Sequence, residues 1–250
     1  MKELPWISCV CVSQNRAVFL KRAISYFNNQ SYPNKDLVIV YTGSDELLNA
    51  DIVRDEKIKV ITPPKDSCLT LGERRNISIQ YAKGDYFCVW DDDDWFHNDR
   101  LEIQMRSLLE SGKPANTLSR LLLYNALTRK AYLSSERFWE GSLLCKTDLF
   151  RESLQYPKLD KGEDNDVVMK LVNQNRVDSL FAPYLYTYLF HGANTWDDNH
   201  FQHLFHAGYS LDSASDLLIA KIMDGDFSSA EASEKVKAIK FEALLKTGES

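Results

Sequence analysis

The sequence predicts an α/β fold: a mixed, mainly parallel sheet flanked by helices, with a helical C-terminal tail. Three observations carry that expectation. Short, nearly continuous apolar runs in the first half read as strands covered on both faces. Segments of helical periodicity alternate with them, as in βαβ units with right-handed crossovers. Finally, 250 residues that are 44% hydrophobic and 26% charged provide for a packed core and exclude a disordered or fibrous chain.

Ile7 to Ser13 is the first such strand. Phe19, Leu20, Ala23, Ile24 and Phe27 then recur at helical spacing, with Lys21, Arg22 and Ser25 on the other side. Leu37 to Val40 and Ile58 to Ile61 read as two more strands, the second stopped by Pro63-Pro64. Leu71 to Ala82 reads as a helix, with Gly84 as its C-terminal cap. Tyr86 to Trp90 is a further strand, and Leu101, Met105, Leu108 and Leu109 mark a helix closing at Gly112.

The second half is less regular. Leu118 to Tyr124 and Arg129 to Leu133 form a hairpin pattern around Asn125, and Ser142 to Cys145 is another short strand. Val167, Val168, Leu171 and Val172 share one face of a helix beginning near Glu163. The aromatic stretch Leu180 to Phe190 supplies one or two strands. From Leu211 two helices follow, joined by Gly225-Asp226, the last running from Ala232 to Lys246. That helix carries Lys235, Lys237, Lys240 and Lys246, which suit packing against the domain or a second copy and also leave peripheral membrane contact open. The expected division is 1–112, 113–205 and 206–250, the first two being halves of one domain.

Thirty basic and 36 acidic residues leave a net charge of −6, so no general attraction to nucleic acid is expected. No apolar run of about 18 residues is present to span a bilayer. Met1 to Pro5 lacks the basic and apolar regions of a signal peptide, and the expected setting is cytoplasmic and reducing. Cys9, Cys11, Cys68, Cys88 and Cys145 have no zinc-ligand spacing; Cys9 and Cys11 share one strand face and read as small hydrophobes.

Asp91-Asp92-Asp93-Asp94 is the sharpest chemical signal. Four adjacent carboxylates repel one another, so a run placed after a buried strand requires a cation or hydrogen bonds. In parallel sheets that is also where ligands bind. A hard divalent ion, held by one or two carboxylates with water and substrate phosphate completing its shell, meets the requirement. An EF-hand is excluded because Phe96 stands where that loop needs glycine. A dehalogenase-type phosphatase would need a nucleophilic Asp after the first strand, where Ser13 stands.

Four segments, in order, resemble the family 2 glycosyltransferases of the GT-A (Rossmann-like) fold. They are Ser8 to Arg16, with the turn Ser13-Gln14-Asn15-Arg16; Gly72 to Tyr86 with Arg75-Asn76, leading into the Asp-x-Asp motif; Gly162-Glu163-Asp164; and His191 to Trp196. The resemblance implies metal-dependent transfer of a sugar from a nucleotide diphosphate donor to an acceptor hydroxyl, with inversion, the acceptor being a saccharide or lipid-linked molecule in surface polysaccharide or glycolipid assembly. It implies Mn²⁺ or Mg²⁺ as cofactor, with Asp93 as direct ligand and Asp91 or Asp92 at the ribose or a metal-bound water. It implies Asp164 as base and Glu163 as a neighbour orienting the acceptor or a loop. Ser13, Asn15, Arg16, Gly43, Ser44 and Trp95 fall at donor-binding places. Arg75 fits either the diphosphate or the aspartates. His191 fits a metal or phosphate contact and also a structural role. Trp95, Trp139 and Trp196 fit a sugar pocket or the core equally well. His200, His203 and His206 share a helix face without an acidic partner and are not expected to bind metal.

One departure from the family pattern concerns the donor base. The family's Asp pair before Gly-Ser is replaced by Tyr41-Thr42 before Gly43-Ser44, with Asp45 following. Two alternatives to a glycosyltransferase remain on the sequence. A nucleotidyltransferase making nucleotide sugars is disfavoured because Gln14-Asn15-Arg16 lacks the glycines of a phosphate loop. A non-catalytic nucleotide-sugar-binding protein is disfavoured because Asp93 and Asp164 are both present.

Overall fold

The computed structural model describes residues 3–43, 55–64 and 67–247. Its main sheet begins with β1 (Ile7–Gln14), β2 (Lys35–Thr42), β3 (Ile58–Ile61) and β4 (Tyr86–Val89), all mutually parallel where they pair. Three strands of the second half complete it: β6 (Ala115–Leu118), β9 (Trp139–Lys146) and β10 (Val177–Leu180). The order is β10-β6-β9-β4-β1-β2-β3, with β9 antiparallel to both neighbours.

Side-chain alternation along β1 sorts the two faces. Ile7, Cys9 and Cys11 join one apolar cluster with Leu20, Ala23 and Phe27 of α1 (Ala17–Asn28) and Leu101, Met105 and Leu108 of α3 (Arg100–Ser111). Val10 points the other way, into a cluster with Ile79 of α2 (Leu71–Tyr81), Phe150 of α4 (Thr147–Ser153) and Val167 and Leu171 of α5 (Glu163–Asn173). The carboxyl ends of the parallel strands therefore converge on one edge, between these layers. The aspartate run leaves β4 at that edge.

A second, five-stranded sheet has the order β12-β8-β7-β11-β5. Its strands are β5 (Trp95–Phe96), β7 (Leu122–Asn125), β8 (Lys130–Leu133), β11 (Tyr186–Phe190) and β12 (Tyr209–Ser210). Phe201 and Phe205 of α6 (Asp198–Ala207) pack on Phe190, and Phe205 stacks on Tyr132 at 4.9 Å. The C-terminal helices α7 (Ser213–Asp224), α8 (Ser229–Lys237) and α9 (Phe241–Thr247) bury Ile219, Ala232, Val236 and Phe241 against this sheet. No helix among the described residues is long and apolar enough to cross a membrane.

The structure revises four expectations. Gly84 does not cap α2, which ends at an extended Ala82; a Cβ on Gly84 would lie 2.6 Å from Ser8 N, so glycine is required for the close approach to β1. The run Leu118–Tyr124 is divided between the two sheets, at β6 and β7. β6 was missed because its Asn116 and Thr117 are polar yet fully buried, Asn116 being bonded to Gln104 and Asp178. The last helix breaks at Ala238 into α8 and α9, with Lys235 and Lys237 lying over the rings of Phe227 and Tyr184. By contrast Gly112 does end α3 in the left-handed conformation, at φ 66°.

Candidate active site

The four aspartates have four different environments. Asp94 is 1% exposed; its carboxylate accepts from the Tyr186 hydroxyl and from Leu189 N at 2.8 Å, tying the acidic loop to β11. Burial, with Asp93 and Asp91 nearby, holds it well above the usual carboxylate range. Asp91 accepts from Arg75 Nη2 at 3.2 Å and from Tyr186 at 3.3 Å. Its pKa is raised as well, by burial first, against the opposing Arg75. Asp93 Oδ2 takes three donors: Arg16 Nη1 at 2.8 Å, His191 Nε2 at 3.2 Å and Asn194 Nδ2 at 3.5 Å.

Asp92 is 4% exposed, and its Oδ2 is buried with no hydrogen-bond partner. Burial, followed by the neighbouring Asp93, pushes it up to about 7. Ser13 Oγ lies near enough to counter that shift without forming a hydrogen bond of regular geometry. Beneath the loop, Arg100 is fully buried between the rings of Phe96 and Tyr186, at 4.6 and 4.8 Å. Its Nη2 donates to Val89 O, so this cation fixes the strand end from which the aspartates emerge.

Arg75 joins the two sequence-predicted catalytic segments. Besides Asp91, it binds Glu163 through Nε at 2.8 Å. Gly72 makes this juxtaposition sterically possible, since a Cβ there would lie 1.9 Å from Pro157 O in the segment leading to α5. Glu163 is 2% exposed and its carboxylate is held by Arg75, which links it to the acidic loop. Asp164, one residue on, is only partly buried and lines the same cleft as the aspartates. The α5 N-terminus beside it favours an anion.

That cleft encloses about 410 Å³. Trp139 and Trp196 line it, with Arg137 over the former and His200 stacked on the latter at 4.4 Å. Trp95 does not: it is 2% exposed in the core beneath the second sheet, 6.4 Å from the ring of Tyr26. The expectation of Trp95 at the donor is thereby corrected. Although Trp95 directly follows the aspartates, its place in β5 turns the side chain away from them. His191 packs on Phe19 at 4.5 Å while holding Asp93. His203 bonds Asn199 O, and the triplet of histidines on α6 forms no metal cluster.

An outer cavity of about 360 Å³ opens at the ends of β1, β2 and β3, where Asn15 and Gly43 sit. A Cβ on Gly43 would lie 2.4 Å from Asn15 Oδ1 and 2.9 Å from the Tyr41 hydroxyl, so a larger residue there would displace those side chains. Ser44 and Asp45 lie outside the described residues. An intermediate cavity lined by Asn15, Arg16 and Asp92 shares residues with the outer cavity and with the cleft.

The carboxylates fit a hard divalent cation held jointly with a phosphate ligand. The partnerless Asp92 Oδ2 and the adjacent Asp93 offer oxygen donors of the right kind. Among the described residues, no three His, Cys, Asp or Glu side chains are placed to hold a metal unaided.

Comparison with known proteins places this geometry. Residues 8–177, more than half of the chain, match the family described as Glycosyl transferase family 2. The chain belongs to that family. An uncharacterized glycosyltransferase of Haemophilus influenzae is 32% identical over 113 residues, 44% of this chain and 44% of that protein. The amylovoran biosynthesis glycosyltransferase AmsB of Erwinia amylovora is 33% identical over 114 residues, 44% of this chain and 37% of that one. The matches thus span under half the length of these curated relatives. The crystal structure of S. aureus TarS 1–349 superposes with a TM-score of 0.61 at 15% identity, covering 93% of this chain and 69% of that one. The same protein in complex with UDP-GlcNAc gives 0.63 at 15% identity, covering 93% and 70%. The fold is the GT-A α/β fold, and the nucleotidyltransferase alternative is set aside.

Within this family 2 chain, several cleft residues escaped sequence reasoning. Tyr186 lay in an aromatic run with nothing to single it out, and its two carboxylate contacts are made 92 and 95 residues away. Glu140, bonded to Arg137, lines the cleft from the middle of the main sheet. Asn194 was within the fourth family-like segment, and that segment was its signal.

Proposed function

We propose that this protein transfers a sugar from a nucleotide diphosphate donor to an acceptor hydroxyl, with inversion, in assembly of a surface polysaccharide or glycolipid. The observation that carries the reading is Arg75, whose single guanidinium joins Asp91 of the acidic loop to Glu163 beside Asp164. It ties the acidic loop to the start of α5, where Asp164 lines the same cleft. A uridine diphosphate sugar is the first donor to test, because the solved relative in complex with UDP-GlcNAc shares the fold.

In this reading the nucleoside occupies the outer cavity and the diphosphate lies over Asp92 and Asp93. Mn²⁺ or Mg²⁺ bound there would neutralise charge developing on the departing diphosphate. Arg16 and His191, now on Asp93, supply further positive or hydrogen-bonding groups at the same place. Asp164 accepts the proton of the acceptor hydroxyl as its oxygen attacks the anomeric carbon. The bond to the diphosphate breaks with its electron pair leaving on the phosphate oxygen. Trp139 and Trp196 offer flat apolar faces to sugar rings.

The test is calorimetric binding of UDP, GDP, CDP and dTDP, each with Mn²⁺ and then with chelator, to the wild type and to Asp93→Ala. The expected result is metal-enhanced binding of at least one nucleotide, with the enhancement lost in the variant. Equal enhancement in both proteins removes Asp93 as ligand, and absence of binding by any nucleotide overturns the reading.

A further inference from the structure

The carboxylates that fit a divalent cation already carry a cation of the protein's own. Arg16 Nη1 lies 2.8 Å from Asp93 Oδ2 and 3.5 Å from Asp92 Oδ1. Its Nη2 donates to Ala193 O at 2.6 Å, in the segment that also brings His191 and Asn194 to Asp93. Asp93 Oδ2 is therefore approached by more polar groups than a carboxylate oxygen has lone pairs. Asp92 Oδ2, by contrast, is buried and accepts nothing.

Arg16 is held less firmly than the other arginines of the acidic loop. Arg100 is fully buried between two rings, and the Arg75 side chain is 11% exposed in a double ion pair. The Arg16 side chain is 25% exposed and lines both the cleft and the intermediate cavity. Arg74 of α2 also lines the intermediate cavity, with its hydrogen bonds going to Gln14, Thr42 and Thr70. Two guanidinium groups thus border one chamber, and a guanidinium fork matches the oxygens of a phosphate. A divalent cation and Arg16 on the same two carboxylates would repel each other, so the two are alternative partners there.

We propose that Arg16 is an exchangeable counter-ion of Asp93, which yields that carboxylate to a divalent cation and turns its fork to the phosphates of the donor. The inference rests on the proposed donor and cation site and assigns how charge is exchanged within it. Until the exchange, Arg16 balances the acidic loop and suppresses binding of metal alone. After it, the same charge serves the diphosphate, so metal and nucleotide favour each other through one side chain.

The experiment is binding to the full chain of Mn²⁺ alone, followed by the paramagnetic resonance of the free ion. Alongside it, calorimetry in saturating Mn²⁺ uses whichever of UDP, GDP, CDP and dTDP binds the wild type. Arg16→Met is expected to bind Mn²⁺ alone about tenfold or more tightly than wild type, yet to bind the nucleotide about tenfold or more weakly. Arg16→Gln should change both affinities in the same directions and covers the case in which Arg16→Met does not fold. Arg16→Lys, which keeps the charge but not the fork, should hold Mn²⁺ affinity near that of wild type and lose nucleotide affinity to an intermediate degree. The opposite signs separate exchange from a structural role, since damage to the loop would weaken both ligands. Unchanged or weaker Mn²⁺ binding in Arg16→Met and Arg16→Gln would overturn the inference while leaving the donor site standing, as would unchanged nucleotide binding. No nucleotide binding by the wild type would overturn both.

Discussion

The inner cleft and the outer cavity are linked by the intermediate cavity at Asn15, Arg16 and Asp92, yet they balance charge in opposite ways. In the cleft, carboxylates outnumber cations, and its three arginines are already engaged: Arg16 with Asp93, Arg75 with Asp91 and Glu163, Arg137 with Glu140, while Lys161 lies over the Trp196 ring. Among the described residues the outer cavity has one buried cation, Arg74, whose hydrogen bonds go to neutral acceptors. Two adjacent arginines on α2, Arg74 and Arg75, thus face different chambers with different partners. An excess of anionic oxygen is a place for a cation and for proton transfer.

Asp164→Asn breaks that comparison most sharply, because it removes the proposed base from the cleft and leaves the outer cavity intact. The expected outcome is a fall in kcat of about 10²- to 10⁴-fold, with nucleotide affinity unchanged. Single-turnover transfer and calorimetry on the same preparation check it. Unaltered turnover would remove Asp164 as the base, and a parallel loss of nucleotide binding would mean that the two chambers are not separable.

Arg75→Met comes next. The side chain of Arg75 is 11% exposed and that of Glu163 3%, so the substitution strands a buried carboxylate. Removing one partner of such a pair destabilises by about 3–5 kcal/mol. Denaturant titration should show that loss, and Glu163→Gln added to Arg75→Met should recover part of it. If Arg75→Met were as stable as wild type, the bridge between the acidic loop and α5 would not be holding the cleft together.

The contrast between the chambers also explains what the sequence reveals. The first-half strands and helices are local patterns, and the aspartates and Glu163-Asp164 are contiguous motifs, so periodicity and resemblance reach them. Arg74 and Arg75 are indistinguishable in that language: same residue type, adjacent positions, same helix. Only the packing of α2 against β1 and the 157–163 segment decides which chamber each one enters. Trp95 fails for the same reason, since its direction is set by the pairing of Thr187 in β11 with Trp95 in β5, about ninety residues apart. Tyr186 and Gly84 owe their roles to contacts equally remote in sequence. The break between α8 and α9 was hidden because Ala238 and the lysines around it suit a helix interior.

The smallest expected effect concerns pH, and it separates the cleft from the C-terminal helices. His97 is 2% exposed, its Nε2 against Ser233 O of α8 and its Nδ1 accepting from Asp99 N. Burial lowers its pKa, with Asp99 opposing and Lys237 adding to the shift. The unfolded chain therefore binds a proton that the folded one resists, and stability falls as pH drops below about 6.5. Asp92 acts in the other sense. Its pKa is raised to about 7, so between about 4 and that value the folded state holds a proton the unfolded state has released, and stability falls as pH rises. The two slopes oppose each other in the same window. Thermal unfolding of the chelated protein from pH 4 to 7.5 should show Asp92→Asn removing the decline toward neutrality and His97→Gln removing the decline toward acid. If both variants changed the profile in the same direction, one of the two assignments would be wrong, and protection of α8 amides from exchange at pH 5 would identify it: loss of protection in wild type but not in His97→Gln belongs to the histidine.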